Sequence, residues 1–189
     1  MDATYLQSKH EAGAPFEDYI ASGTPDQCGN WQRIYDQAQL TQTQQDLVGS
    51  FVRRINIIGL AGIWCGDCAQ QCPVIQRIAD ANPNAIDLRW LERNDHMDLQ
   101  QQVRINAGDR VPVIFFCAED YELVGWYGDR TLSRYRAVAQ RQFGASCPLP
   151  GAPIDDDELA ASRDDWLNEI ERVHLLLRLS GRLRQKHGD

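Results

Sequence analysis

The stretch Ile55-Asn56-Ile57-Ile58-Gly59-Leu60-Ala61-Gly62-Ile63-Trp64-Cys65-Gly66-Asp67-Cys68 decides the fold. Its first nine residues are a nearly continuous apolar run rich in β-branched side chains, the pattern of a strand covered on both faces inside an α/β sheet. From Cys68 to Ala81 the texture changes: Val74, Ile75, Ile78 and Ala79 recur at helical spacing until Asn82-Pro83-Asn84 stops the helix. The C-x-x-C pair therefore sits at a strand-to-helix junction. There the unpaired backbone N–H groups and the positive end of the helix dipole favour a thiolate at Cys65. A thiolate attacks a substrate disulfide, and one helical turn brings Cys68 close enough to displace the mixed disulfide. Gly66 lets the chain turn tightly beside a substrate, and Trp64 can cover one side of the site.

Further along the chain, Ile86 to Leu91 alternates and reads as a second strand. Asn94 or Asp95 can cap a helix running to about Asn106, with Gly108 just past its end. Val111 to Phe116 is a third strand. A turn at Ala118-Glu119-Asp120 and a fourth strand from Leu123 to Tyr127 complete an antiparallel hairpin, and Thr131 to Phe143 is helical. The order βαβα followed by ββα predicts a mixed four-stranded sheet flanked by helices.

Helical extensions lie on both sides. In residues 1–50, Gly13, Pro15, Gly23 and Pro25 punctuate the opening. Asp26 can cap a helix carrying Trp31, Ile34 and Tyr35. Thr41-Gln42-Thr43-Gln44 has the form of a capping box before Leu47, Val48 and Phe51. Residues 51–143 form the α/β domain. In residues 144–189, a Pro/Gly-rich linker from Gly144 to Pro153 leads to Asp155-Asp156-Asp157-Glu158, which opens an amphipathic arm with Leu159, Trp166, Ile170, Val173 and Leu177 in a stripe. That arm either packs on its own domain or offers a face to a second copy in a homodimer.

Composition bounds the function. The chain has 189 residues, 43% hydrophobic and 24% charged, as an ordinary soluble domain has. No apolar run approaches the ~20 residues a bilayer span needs. The opening Met1 to His10 lacks the basic start and apolar core of a secretory signal, so a cytoplasmic location is expected. A net charge of -8 without a dense basic run argues against nucleic acid, and no membrane partner is expected. In a reducing compartment the six cysteines are packed residues, metal ligands or redox groups. Cys28, Cys117 and Cys147 stand alone and read as packing. Cys72 shares a helical side with Cys65 and Cys68, as a buried small residue, a back-up thiol or a metal ligand. Zinc needs four ligands, and sequence brings neither His96 nor Cys117 to the three. Glu92 and Asp95 fall near the end of a strand that can run close to the site, where acid/base work is conceivable.

Trp64-Cys65-Gly66-x-Cys68, with Pro73 five residues after the second cysteine, resembles the active-site helix of thioredoxins. Arg110-Val111-Pro112 is similar to that family's cis-proline loop, and Gly128 falls where the family has a glycine after its last strand. The resemblance covers residues 51–143 and implies a thioredoxin-like fold. It also implies a catalytic set of Cys65 as nucleophile, Cys68 as resolving thiol, and Pro112 as a backbone platform for substrate. Three positions depart from the pattern. Asp67 stands where thioredoxins carry proline, and its charge should disfavour the Cys65 thiolate and make the pair reducing. Asp67 can also serve as proton acceptor for Cys68, since Gly59 occupies the position of the family's buried Asp. Val113 follows the proline in place of threonine. The Cys-Gly-Asp-Cys centre resembles that of a group of bacterial thioredoxin-like proteins.

The leading expectation is a disulfide reductase acting on protein or small-molecule disulfides. It needs no cofactor of its own and takes electrons from an external donor. The alternatives are a thioredoxin-fold adaptor whose dithiol is vestigial and a metal-binding protein built on Cys65, Cys68 and Cys72.

Overall fold

The computed structural model describes residues 1–143 and 157–189. The expected linker from Gly144 to Pro153, with Cys147, Asp155 and Asp156, lies outside the described residues. The sheet is β1 (Ile55–Ala61), β2 (Ile86–Glu92), β3 (Val113–Cys117) and β4 (Leu123–Gly128), in the order β2-β1-β3-β4. β1 runs parallel to β2 and antiparallel to β3, and β3 pairs antiparallel with β4. All seven residues of β1 are buried, as its apolar run predicts for a central strand. The strand stops at Ala61, two residues short of the apolar run, because the chain bends at Gly62 toward the cysteines. With helices on its faces, this is the thioredoxin-like fold, with extra helices at both termini.

In the N-terminal extension, α1 (Ala3–Ala12), α2 (Phe16–Ala21), α3 (Pro25–Gln37) and α4 (Gln42–Gly49) break at the glycines and prolines that punctuate the sequence. Thr41 and Gln44 form the expected capping box. α3 is capped by Thr24, not Asp26: Pro25 takes the first helical position, where its missing N–H is no loss, and Thr24 makes a second capping box with Gln27. Phe16, Tyr19 and Trp31 from these helices meet Trp90 of β2 at ring separations of 6.1 to 6.5 Å. One continuous apolar core joins them to the sheet.

α5 (Gly66–Asp80) follows β1 with Pro73 inside it. The helix expected from Asn94 or Asp95 to Asn106 is much shorter. A 3-10 turn at Arg93–Asp95 and a single helical turn, α6 (Met97–Gln100), replace it. Asn106 and Ala107 take left-handed backbone angles, and Ile105 bridges back to Gly108, so the chain cannot continue as a helix. α7 (Leu132–Phe143) and α8 (Glu158–Leu179) then pack together, α8 packs on α5, and Ser180 caps the short α9 (Gly181–His187). Trp166, Ile170, Val173 and Leu177 of α8 are buried in the same core, so the arm covers its own domain. No described helix is long and apolar enough to cross a membrane.

Candidate active site

The fold brings five of the expected site positions, Trp64, Cys65, Gly66, Cys68 and Pro112, together at one end of β1. Cys65 caps α5 in extended backbone, and its half-buried Sγ lies 3.8 Å from the Val111 carbonyl. The Val111–Pro112 peptide bond is cis. Cys68 is fully buried one turn behind, and its Sγ accepts from the Gly62 N–H at 3.5 Å. Gly66 opens the helix, and a Cβ there would meet nothing within 4 Å, which leaves free space beside Cys65. Trp64 is exposed on the other side of the loop.

The thiols are not poised as their place at a helix N-terminus suggests. The Cys65 thiol is held well above the ordinary range, first by its hydrogen bond with Cys68, then by burial and by the charge Cys68 would carry. The backbone amides of Cys68 and Asp67 pull the other way and do not prevail. Burial raises Cys68 and Cys72 as well. Exposure falls along the helix from half-buried Cys65 to fully buried Cys68 and Cys72, and each neighbour perturbs the Cys68 thiol. Cys28 donates its S–H to the Ile20 carbonyl, and Cys117 is buried in β3, where burial pushes its thiol up to about 12. Among the described residues, no group of three or more His, Cys, Asp or Glu could hold a metal ion.

Asp67 behaves differently from the expectation. Its carboxylate accepts from Arg130 at 2.6 Å and from Arg134 at 3.2 Å, so it is matched by two guanidinium groups and bonded to neither Cys65 nor Cys68. Glu158 at the start of α8 bonds Arg134 in turn, and it accepts from Arg141 at 2.5 Å. Burial works to raise Glu158, and the bonds to Arg141 and Arg134 outweigh it and hold the carboxyl low.

The loop itself is fixed by residues that no motif marks. Glu92, at the end of β2, accepts from the Ile63 N–H (3.1 Å), the Trp64 indole (3.0 Å) and the Tyr19 hydroxyl (3.1 Å). The Trp31 indole donates to the Ile63 carbonyl at 3.2 Å. Arg93 lies over the Trp64 ring, 4.6 Å from its centre. Glu92 lies beside the site as its place at the end of a strand predicts, and where acid/base work was conceivable its three bonds make it a clamp.

On the far side, buried Gln71 donates to the Asp129 carbonyl at 3.0 Å and accepts from the Thr131 N–H at 3.2 Å. The Asp129 carboxylate takes Arg110 and Tyr135. These bonds tie α5, the proline loop and the chain after β4 into one unit. His96 meets Lys9 near the surface, and His174 stacks on Phe51 at 4.2 Å and accepts from the Val52 N–H.

Two glycines have steric causes. A Cβ on Gly59 would lie 2.3 Å from the Trp90 ring, so the indole fills the place where an acidic side chain would stand. A Cβ on Gly128 would lie 2.2 Å from the Pro112 carbonyl, so only glycine lets β4 close on the proline loop.

Residues 13–140 match the family described as Thioredoxin. A Pseudomonas aeruginosa protein of unknown function is similar in structure, with a TM-score of 0.66 and 19% identity over 86% of this chain and 95% of that one. An HIV epitope-scaffold has the same TM-score at 18% identity, over 88% and 97%. At such identities these likenesses establish the fold alone. No curated protein matches the sequence.

Proposed function

The chain belongs to the thioredoxin family, and from that premise we propose that it is a thiol–disulfide oxidoreductase working in the reducing direction through Cys65 and Cys68. The observation that carries the proposal is the stagger of the two thiols. Cys65 is open to a partner between Trp64 and the Val111–Pro112 loop, while Cys68 is closed off one turn behind it. The Cys65 thiolate attacks one sulfur of a substrate disulfide, and a thiolate leaves. Cys68 then attacks the Cys65 sulfur, releases the second substrate thiol and leaves the Cys65–Cys68 disulfide. Two electrons pass from the dithiol to the substrate, and an external donor returns them.

The direction follows from the raised thiols. A pair whose reduced form gains a stable thiolate is a strong oxidant. Here the neighbouring Cys68 and burial disfavour the thiolate at Cys65, and burial disfavours it at Cys68, so the reduced form lacks the stabilised thiolate that makes a pair oxidising. Such chemistry belongs in a reducing compartment, which agrees with a cytoplasmic place of work. In this reading Pro112 presents the backbone on which a substrate chain lies, Gly66 leaves room for it, and Trp64, held by Glu92, forms the opposite wall. Asp67 acts by anchoring α5 to Arg130 and Arg134.

The test is a trap. The Cys68→Ser chain, reduced and mixed with a protein disulfide, should stop at a mixed disulfide on Cys65 that mass spectrometry locates. Absence of an adduct, or an adduct on Cys72 or Cys117, overturns the assignment.

A further inference from the structure

Beside Cys65, on the side away from Trp64, lies an open cleft of about 370 Å³. Its floor is Cys65, Gly66 and Asp67, and its wall carries Arg130, Arg134 and Arg141. We infer that this cleft binds a carboxylate-bearing low-molecular-weight disulfide and delivers one of its sulfurs to Cys65; the inference rests on Cys65 being the attacking thiol.

Charge is the first argument. Among the described residues three guanidinium groups of this wall pair with two carboxylates, Asp67 and Glu158, so the arginines outnumber their acidic partners by one. The whole chain carries -8, so a positive cleft at the reactive thiol runs against the composition of the molecule. A concave site lined by one sign of charge concentrates ligands of the other.

Donor capacity is the second. A guanidinium carries five N–H groups in a planar fork that fits a carboxylate. Arg130 gives Asp67 a single Nη2 bond, which leaves its other terminal N–H groups uncommitted to that carboxylate. Arg141 is half exposed, and among the described residues its guanidinium bonds Glu158 through two of its five N–H groups. Donors therefore remain for an incoming anion.

Size is the third: the volume lies at the lower end of the range of roughly 300–1,000 Å³ that holds small molecules. The reaction balances as the proposed dithiol cycle does. The Cys65 thiolate breaks the S–S bond of the ligand and one thiolate leaves. Cys68 releases the other, and the two protons of the dithiol end on the two product thiols. A single turnover needs no further reductant.

The experiment follows oxidation of the reduced full-length chain, in one turnover, by glutathione disulfide (anionic), hydroxyethyl disulfide (neutral) and cystamine (cationic). Each rate is divided by that of dithiothreitol with the same disulfide, which removes intrinsic reactivity. At low salt the expected normalised order is anionic, neutral, cationic, with about tenfold or more between the ends, shrinking as salt rises. Arg141→Gln should cut that ratio about threefold, and Arg141→Lys should restore part of it. Arg172→Gln, an exposed charge paired with Glu169 on α8, should leave the ratio as it is. Equal normalised rates for the three disulfides overturn the cleft while leaving Cys65 as nucleophile. Reaction with none of them overturns both. A peptide disulfide flanked by acidic residues that outruns glutathione disulfide by the same margin overturns the small-molecule assignment in favour of an acidic protein partner.

Discussion

The two flanks of the Cys65 loop are built to opposite rules. On the β2 side every group is occupied: Glu92 holds Ile63, Trp64 and Tyr19, and Trp31 holds the Ile63 carbonyl. On the α7 side charged side chains, Asp67, Arg130, Arg134 and half-exposed Arg141, line an open cleft. The difference teaches what the N-terminal extension contributes. It carries Tyr19 and Trp31 to the back of the loop and fixes it, so that the other flank is free to receive a ligand. Stability should therefore concentrate on one flank and selectivity on the other.

The largest expected effect breaks this contrast if it fails. Trp31 is fully buried among aromatic rings, so Trp31→Ala should cost about 3–5 kcal/mol by denaturant unfolding, whereas Arg141→Gln should stay within about 0.5 kcal/mol of the parent. Similar losses for both would mean that the flanks do not differ. Glu92→Ala leaves three donors without their acceptor. A loss of about 1–3 kcal/mol and an altered Trp64 fluorescence are expected, and unchanged fluorescence would show that Glu92 does not fix the indole.

The thiols sharpen the comparison. Since hydrogen bonding and burial raise Cys65, its thiolate forms only above the ordinary thiol range of about 8.5. Alkylation of Cys65 should be slow at neutral pH and still rising at pH 9, and a plateau near pH 7 would contradict the account. The smallest effect concerns the α8 anchor. Glu158 is held low by Arg141 and Arg134, so its contribution is present above the unfolded carboxylate value and fades as pH falls through the lower folded one. It is part exposed, so Glu158→Gln should cost less than about 1 kcal/mol at pH 7 and nothing once both forms are neutral at low pH. A loss that persists in acid would assign Glu158 a role outside the ion pairs.

Legibility in the sequence followed locality. The β1 run, the C-x-x-C at its end and the Thr41 capping box are each written in consecutive residues, and each appears where its pattern predicts. The Asp26 cap was misread because Asp is as good a cap as Thr; Pro25, which fits the first helical position, is the signal for Thr24. The long helix after Asp95 was misread because Leu99 and Val103 keep helical spacing, while the left-handed Asn106 and Ala107 leave no mark in periodicity. The site divides the same way. Cys65, Cys68 and Trp64 announce themselves, but Gln71 and Asp129, 58 residues apart, look like any polar pair until the fold joins them. Asp67 shows the cost of local reading. Its charge counted against the thiolate only while Arg130 and Arg134, supplied by α7 and the loop before it, were out of view.

The central claim is that Cys65 and Cys68 form a reducing dithiol. A redox titration of the full chain, with free thiols alkylated and located by mass spectrometry, tests it most directly. The account predicts that these two cysteines oxidise together as a two-electron pair, at a potential more negative than roughly -260 mV, the lower edge of the extracted cytosolic glutathione poise, while Cys72 stays reduced. A pair that remains reduced across the range, a bridge that includes Cys72, or a potential above that poise would contradict it.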